Sequence, residues 1–465
     1  MEKDYNKKRE EGIDSDENNC YGTDSIFSLF LKVVLPSIIA MLVTGIQGVI
    51  DGLFLGNYIG DSAMASATIA SPFLQILMGI TMVISIGGTA FISRTLGVND
   101  LPKAQDIFKS CFVALSASSI CIILSAWFYS EQFAVLFGAS DTLLQGASDY
   151  IRVIGLFSPF VMFYVLFAFT NRVIGKPHLL FLASIACVVA NITLNYLFIA
   201  VLELGMTGAG LATGLSYSLG FLINIKPLFS KKTDVNVFKG KFHWNLLGTL
   251  LYNGSSEGIT SISTAISIWV FNLTFMHYYG DSGVASFTIV NYISQFTTTL
   301  LFGMADGVTP IVAYHYGANL RERIMKIMKV ALLGNFFVGL FVCFSVQIWG
   351  ETLIEMFADG NTELISMTQS GAKIYALAFL LSGFNILISA YFTAKGDALN
   401  SVIVSSSRGL VFILIGIFTL PHLFNVTGVW LVVPFAEVVT LGISLFLLSK
   451  QSKTEEEQSR KVIAS

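Results

Sequence analysis

Charge is what this chain has least of. Only 12% of its 465 residues are Asp, Glu, Lys or Arg, about half the roughly 25% found in soluble domains. So few charged groups cannot give a chain of this length a polar surface, so a soluble globular fold is excluded and lipid must surround it. Histidine is scarce, with five residues, and the five cysteines (Cys20, Cys111, Cys121, Cys187, Cys343) are scattered through mostly apolar sequence. Their spacing offers neither a disulfide framework nor a paired-cysteine metal site. There is no G-x-x-x-x-G-K-[ST], no H-E-x-x-H and no G-x-S-x-G, which removes the P-loop, the zinc hydrolase and the nucleophile elbow. An enzyme is therefore not expected, and neither is a cofactor or a metal. With a net charge of −3 and no basic patch interleaved with aromatics, no nucleic-acid partner is expected either. Residues 1–25 are polar and lack an apolar leader segment.

What is present is long apolar runs. A span needs about 20 such residues to cross the hydrocarbon core, and twelve are predicted: 26–55, 62–93, 106–129, 150–171, 178–201, 206–228, 246–276, 283–314, 325–348, 372–393, 400–420 and 426–448. Lys and Arg alternate with them. The amino-terminal tail, every even-numbered loop and the carboxyl tail are basic, while the odd-numbered loops carry almost no positive charge. This alternation predicts that both termini and all even loops are cytoplasmic.

Residues 58–99 recur without a gap 220 positions later. Tyr58, Gly60, Asp61, Ser62, Ala65, Ser66, Thr68, Ile69, Gln75, Gly87, Thr89, Gly97 and Asn99 meet Tyr278, Gly280, Asp281, Ser282, Ala285, Ser286, Thr288, Ile289, Gln295, Gly307, Thr309, Gly317 and Asn319. A fixed-period match of this kind marks a duplicated unit. Because the period covers six spans, an even number, the two halves share one orientation. Parallel repeats of this kind are an architecture of secondary transporters. The expected fold class is therefore an all-α integral membrane protein, with twelve transmembrane helices in two pseudo-symmetric six-helix lobes. Its organisation is a disordered tail 1–25, an amino-terminal lobe 26–228, a basic linker 229–245, a carboxyl-terminal lobe 246–448 and a tail 449–465. Pro36, Pro72, Pro159, Pro310 and Pro434 fall inside spans and serve either as kinks or as packing residues.

An ionisable side chain at the bilayer centre costs about 2.5–3.5 kcal/mol on insertion scales, so each one needs a reason. Asp51, Glu257, Asp306 and Glu437 are such carboxylates. Under the repeat, Asp51 lies opposite Phe271, Glu257 opposite Ser37 and Asp306 opposite Ile86. The acids are thus not part of the shared scaffold. Asp51 stands five residues before Gly56, about 7.5 Å along a helix. Asn191 and Asn195 share one face of the fifth span at similar depth. A carboxylate among amide oxygens suits a coupling H⁺ or Na⁺; the alternative is an Asn pair that joins helices by hydrogen bonds. Glu257 and Glu437, near mid-depth, would draw an organic cation or titrate against it, with Asp306 nearer the cytoplasmic end. Arg408 could instead pair with Glu437. The 39 Phe and 16 Tyr offer cation–π surface, yet most must pack helices or face lipid.

Several stretches resemble a known family. Gly48-Val49-Ile50-Asp51-Gly52-Leu53-Phe54-Leu55-Gly56 is similar to the first-helix motif of the multidrug and toxic compound extrusion (MATE) family. Gly303-Met304-Ala305-Asp306-Gly307-Val308-Thr309-Pro310, continuing to Ala313-Tyr314-His315-Tyr316-Gly317-Ala318, resembles its eighth-helix signature. Gly254-Ser255-Ser256-Glu257, and Gly428-Val429-Trp430 with Pro434-Phe435-Ala436-Glu437, resemble the MepA-type bacterial branch. The resemblance spans 26–448. It implies cation-driven export of amphipathic, mostly cationic compounds by a monomer in a bacterial plasma membrane. It also implies that Asp51 is the essential first-helix acid, Asn191 the fifth-helix Asn, and Glu257 and Glu437 the acids of the seventh and last helices. Asn195 departs from the pattern, since many relatives carry Asp there. A sister group that flips lipid-linked saccharides shares the architecture, but its cavity would be cationic. A non-transporting scaffold or sensor would have no need to sustain four intramembrane acids.

Overall fold

The computed structural model describes residues 20–230, 233, 235–358 and 362–464, and among these every regular element is helical. Twelve helices are long and apolar enough to cross a membrane. They are α1 (Ile26–Ile59), α2 (Ser62–Gly97), α3 (Leu101–Leu136), α4 (Asp141–Val173), α5 (His178–Val201), α6 (Gly205–Leu228), α7 (Trp244–Gly280), α8 (Ala285–Gly317), α9 (Arg321–Glu355), α10 (Ile365–Lys395), α11 (Ala398–Asn425) and α12 (Thr427–Gln451). All twelve predicted spans are present, but most are longer than predicted. The 36 residues of α3 reach about 54 Å against a hydrocarbon core of about 30 Å. The excess carries the polar turns at which apolar windows stop.

The duplication is visible in the backbone. The turn between α1 and α2 uses Gly60 at φ 107°, and the turn between α7 and α8 uses its repeat partner Gly280 at φ 61°. After α2 the chain passes through Asn99 at φ 59°, and after α8 through Asn319 at φ 58°. Glycine and asparagine are the residues that adopt this left-handed backbone at least cost, so the repeat conserves them where the chain reverses.

Further repeat glycines set how the halves meet. A Cβ on Gly97 would overlap the Tyr314 carbonyl oxygen, and one on Gly317 would overlap that of Arg94. α2 and α8 therefore cross backbone to backbone about the pseudo-two-fold axis. Lower along α2, a Cβ on Gly87 would strike Leu250 and Gly254 of α7, and one on Gly254 would strike Val83. The matching contact on the other side is α8 against α1, where a Cβ on Gly307 would lie 2.7 Å from Val34 Cα and one on Gly303 2.9 Å from Ile38 Cα. Small residues permit this approach, and in lipid close packing is what draws helices together. Two hydrogen bonds join the halves in the same region, Ser93 Oγ to the Pro310 carbonyl at 2.6 Å and Arg94 to the Lys395 carbonyl at 2.6 Å. All these contacts lie toward the face that carries the basic loops. Nearer the opposite face, the repeat partners Gln75 and Gln295 are exposed at mid-span. Such amides belong on a water-filled cleft rather than against lipid. The halves meet backbone to backbone toward the basic face.

Two expectations about the ends change. Tail residues 1–19 lie outside the described residues, but residues 20–25 are ordered rather than disordered. Cys20–Thr23 forms a short helical turn and Tyr21 is fully buried. Its hydroxyl donates to the Arg172 carbonyl at the end of α4, and its ring lies 5.7 Å from that of Tyr314 on α8. Arg323 of α9 donates to the carbonyls of Tyr21 and Asp24. Lys32, 2.8 Å from Asp24, holds that carboxyl below the usual range. This segment thus fastens both halves at the basic face, which a polar composition does not reveal. At the other end, helix continues past α12 to Ala464. The described residues of the linker pack against α3. Gln105 and Asp106 of α3 accept from the backbone of Asn236 and Lys241 at 2.9 and 2.7 Å, and Val235 is buried.

Gly317→Ala should stop the halves from closing at the basic face, because its methyl would overlap the Arg94 carbonyl. Spin labels at Lys226 and Met325 on a cysteine-free background should show a population of longer distances absent from the parent, at unchanged helix content. An unaltered distribution would mean that the α2–α8 crossing can move without breaking.

Candidate functional site

In the first half, Asp51 stands one turn before the π-helical turn Leu55–Ile59 of α1. Asn191 and Asn195 lie on α5, with Asn195 immediately before the π-helical turn Tyr196–Val201. Such turns insert an extra residue and re-aim nearby side chains, and they recur at functional sites. The three residues predicted to act together do meet. Asn195 Nδ2 donates to Asp51 Oδ1 at 2.6 Å and to Asn191 Oδ1 at 3.2 Å. Both asparagines are buried, and Asn191 as well as Asn195 acts on the Asp51 carboxylate. Tyr150 of α4 and Tyr217 of α6 lie within electrostatic reach of Asp51. Residues of four helices thus act on one half-buried carboxylate, two amides close by and two phenols within its field. The tyrosines were missed at the sequence level, because nothing separates them from the chain's other aromatics until α4 and α6 are placed.

The second half holds the other acids in two groups. Glu257 of α7 and Asp306 of α8 line a cavity of about 20 Å³, with Arg408, Thr260 and Ser389 among the other walls. That volume admits about one water. Glu257 senses both the Asp306 carboxylate and the Arg408 guanidinium. Glu437 of α12 is set apart from this cavity. It is only 3% exposed and accepts from Arg408 at 3.0 and 3.3 Å, from Ser382 at 2.8 Å and from Asn385 at 2.6 Å. Arg408 lies on a third π-helical turn, Ser407–Val411 of α11, and so connects the two groups.

Asp306 also looks across to the first half. Arg172, at the end of α4, is 4% exposed and interacts electrostatically with Asp306. It donates to Ser37 Oγ of α1 at 3.1 Å, packs 4.6 Å over the Phe169 ring and leaves Nε without a hydrogen-bond partner among the described residues. A chain of charges therefore runs from Arg172 through the carboxylate pair Asp306 and Glu257 to Arg408 and Glu437, with a cation on either side of the pair. An unpaired charge in such surroundings is costly, and each carboxylate here has a cation or hydrogen-bond donors nearby. At the sequence level Arg172 counts only toward loop charge. The clue to its burial is the unbroken aromatic and aliphatic run that precedes it.

Comparisons with known proteins bear on the family and the fold. The MatE family model matches twice, over residues 36–197 and 258–418. The multidrug export protein MepA of Staphylococcus aureus (strain bovine RF122 / ET3-1) is 28% identical over 408 residues, covering 87% of this chain and 89% of that protein. MepA of Staphylococcus saprophyticus is 28% identical over 412 residues with the same coverage. A crystal structure of MATE in complex with MaL6 superposes with a TM-score of 0.88 at 20% identity, covering 94% of this chain and 99% of the other. An outward-facing multidrug resistance MATE family transporter gives 0.86 at 21%, covering 92% and 96%. With the family model matched in both halves and the whole bundle shared with solved MATE structures, the chain belongs to the MATE family of multidrug efflux transporters.

Proposed function

We propose that this chain is a cation-coupled antiporter that exports bulky amphipathic organic cations across the plasma membrane, with both termini and the basic face in the cytoplasm. On that orientation the close glycine crossings lie on the cytoplasmic side. The observation that carries the reading is the separation of two acidic sites, a single carboxylate among amides in one half and a carboxylate pair at the cavity in the other. A monomer suffices, because both sites lie within one chain.

The Asp51 site is read as the place of the coupling ion. An amide can present either its NH₂ or, after a half-turn, its oxygen. Asn195 can therefore donate to an ionised Asp51 and accept from a protonated one. An ionised aspartate at that position could only accept, so Asn in its place suits a site that alternates between two protonation states. The oxygens of Asn191 and Asn195 would equally suit Na⁺, and only imposed gradients distinguish the two ions. Glu257 and Asp306 are read as the attraction for a cationic compound. Glu437, already held by Arg408, Ser382 and Asn385, keeps the Arg408 charge in place.

Asp51→Asn should abolish export of a fluorescent cation from proteoliposomes driven by a pH gradient or a Na⁺ gradient, each imposed separately. Its yield and melting temperature should stay close to the parent. Full export by this variant under either gradient would remove the coupling role.

Glu257→Gln should weaken binding of organic cations about tenfold while leaving neutral compounds within about twofold, the expected size for one screened charge pair. Equal loss in both classes would assign Glu257 to structure instead. Glu437→Gln should chiefly lower the melting temperature, because it unpairs the largely buried Arg408.

A further inference from the structure

A second, larger cavity opens at the basic face, away from both acidic sites. It encloses about 570 Å³ between the ends of α2 and α8 and the starts of α3, α7 and α9. Volumes of 300–1,000 Å³ are typical of small-molecule sites. Its rim is cationic and drawn from both halves, with Arg94 and Lys103 from the first and Arg321 from the second. Asp100 is its acid, and that carboxylate caps α3 by accepting from the Lys103 backbone N–H at 3.2 Å. Lys395 adds a further positive charge, 5.1 Å over the ring of Tyr316, itself on the wall. Below the rim the wall is apolar, formed by Phe91, Ile107, Leu246 and Leu250.

Depth and chemistry identify the ligand class. Trp244 begins α7, is 76% exposed and stands two residues before Leu246. An exposed tryptophan at a helix end marks the headgroup level of a bilayer. The cationic rim is therefore at phosphate height, and the apolar wall is where acyl chains begin. A soluble phosphate would use the rim and leave the wall empty, whereas a phospholipid uses both.

We propose that this crevice binds one anionic phospholipid of the leaflet at the basic face, its phosphate among Arg94, Lys103 and Arg321 and its acyl chains along the Phe91–Leu246 wall. Because the cations come from both halves, the bound lipid joins them where the glycines cross. It therefore favours the conformation closed at that face. The crevice shares no residue with the acidic sites, so this reading stands apart from the coupling mechanism.

The test uses the full chain, stripped of lipid in detergent, with phosphatidylglycerol titrated in. Native mass spectrometry counts bound lipid and thermal unfolding follows its effect. One phosphatidylglycerol should bind saturably and raise the melting temperature, and phosphatidylcholine or inorganic phosphate should do neither. The double variant Lys103→Ala/Arg321→Ala should weaken binding about thirtyfold, the size expected for two cations near a membrane surface. The charge-keeping pair Lys103→Arg/Arg321→Lys should retain binding, separating the loss from misfolding. Lys226→Ala/Lys326→Ala removes equal charge at the same face outside the crevice and should leave binding unchanged. The proposal is overturned if the double variant binds as the parent does or if the control pair loses as much. Reproduction of the effect by inorganic phosphate would also overturn it, since the site would then hold a free anion.

Discussion

Backbone-to-backbone crossing of helices from opposite halves is the constraint on which the rest depends. Lipid offers apolar side chains no reason to leave it, so helices associate in a membrane by close fit. Here the fit is closest where side chains are missing, at Gly87, Gly97, Gly254, Gly303, Gly307 and Gly317. These positions gather toward one face, and the halves are held together there. Ser93 and Arg94 complete the closure by donating to carbonyls of α8 and α10. Each bond runs from a side chain to a backbone oxygen, so it requires the helices to have met already. The glycines set the distance and the polar bonds then fix the register.

The scaffold is symmetric and the charges are not. Gly60 and Gly280, Asn99 and Asn319, Gly97 and Gly317 repeat in both residue and role. Asp51, Glu257, Asp306 and Glu437 have no acidic counterparts under the same offset. A duplicated bundle needs its turns and crossings in both copies, because both must fold and close. Its acids answer to local partners instead, as Glu437 does to Arg408, Ser382 and Asn385. This difference between what folding requires and what a site requires separates the two halves' chemistry while keeping their shape alike.

Much of this was legible in the sequence because it depends on runs and spacings. Twelve spans follow from length and hydropathy, and the turns follow from the repeated Gly and Asn. The meeting of Asp51 with Asn191 and Asn195 follows from matched depth. What escaped depends on single residues crossing between distant elements. Tyr21 sits in a polar segment, yet its ring fills a space made by α4, α8 and α9. Arg172 reads as one more loop cation until the fold buries it beside Ser37 and Asp306. Tyr150 and Tyr217 become neighbours of Asp51 only through the packing of four helices. Glu437 could be read either as a ligand-binding acid or as a partner of Arg408. Only the placement of Ser382 and Asn385 beside it shows how fully its oxygens are engaged.

The path between the two acidic sites is α1. Asp51 stands near one end of this helix and Val34, Ser37 and Ile38 near the other, with Asp51 and Ser37 about 21 Å apart at 1.5 Å per residue. Val34 and Ile38 press on Gly307 and Gly303, which flank Asp306, and Ser37 accepts from Arg172, which faces the same carboxylate. A stiff helix cannot shift along its axis at one end alone. Any displacement of α1 at the Asp51 end must be taken up at the Gly303–Gly307 contact or absorbed within the helix. The helix has a place to absorb it at each end, the π-helical turns Phe30–Val34 and Leu55–Ile59, where one residue more or less per turn changes the register of what lies beyond. The same element therefore holds the Asp51 carboxylate, abuts the glycines where the halves cross and fixes the cation beside Asp306. On the reading proposed above, occupancy of the first site would be felt at the second through this helix without requiring the two to touch.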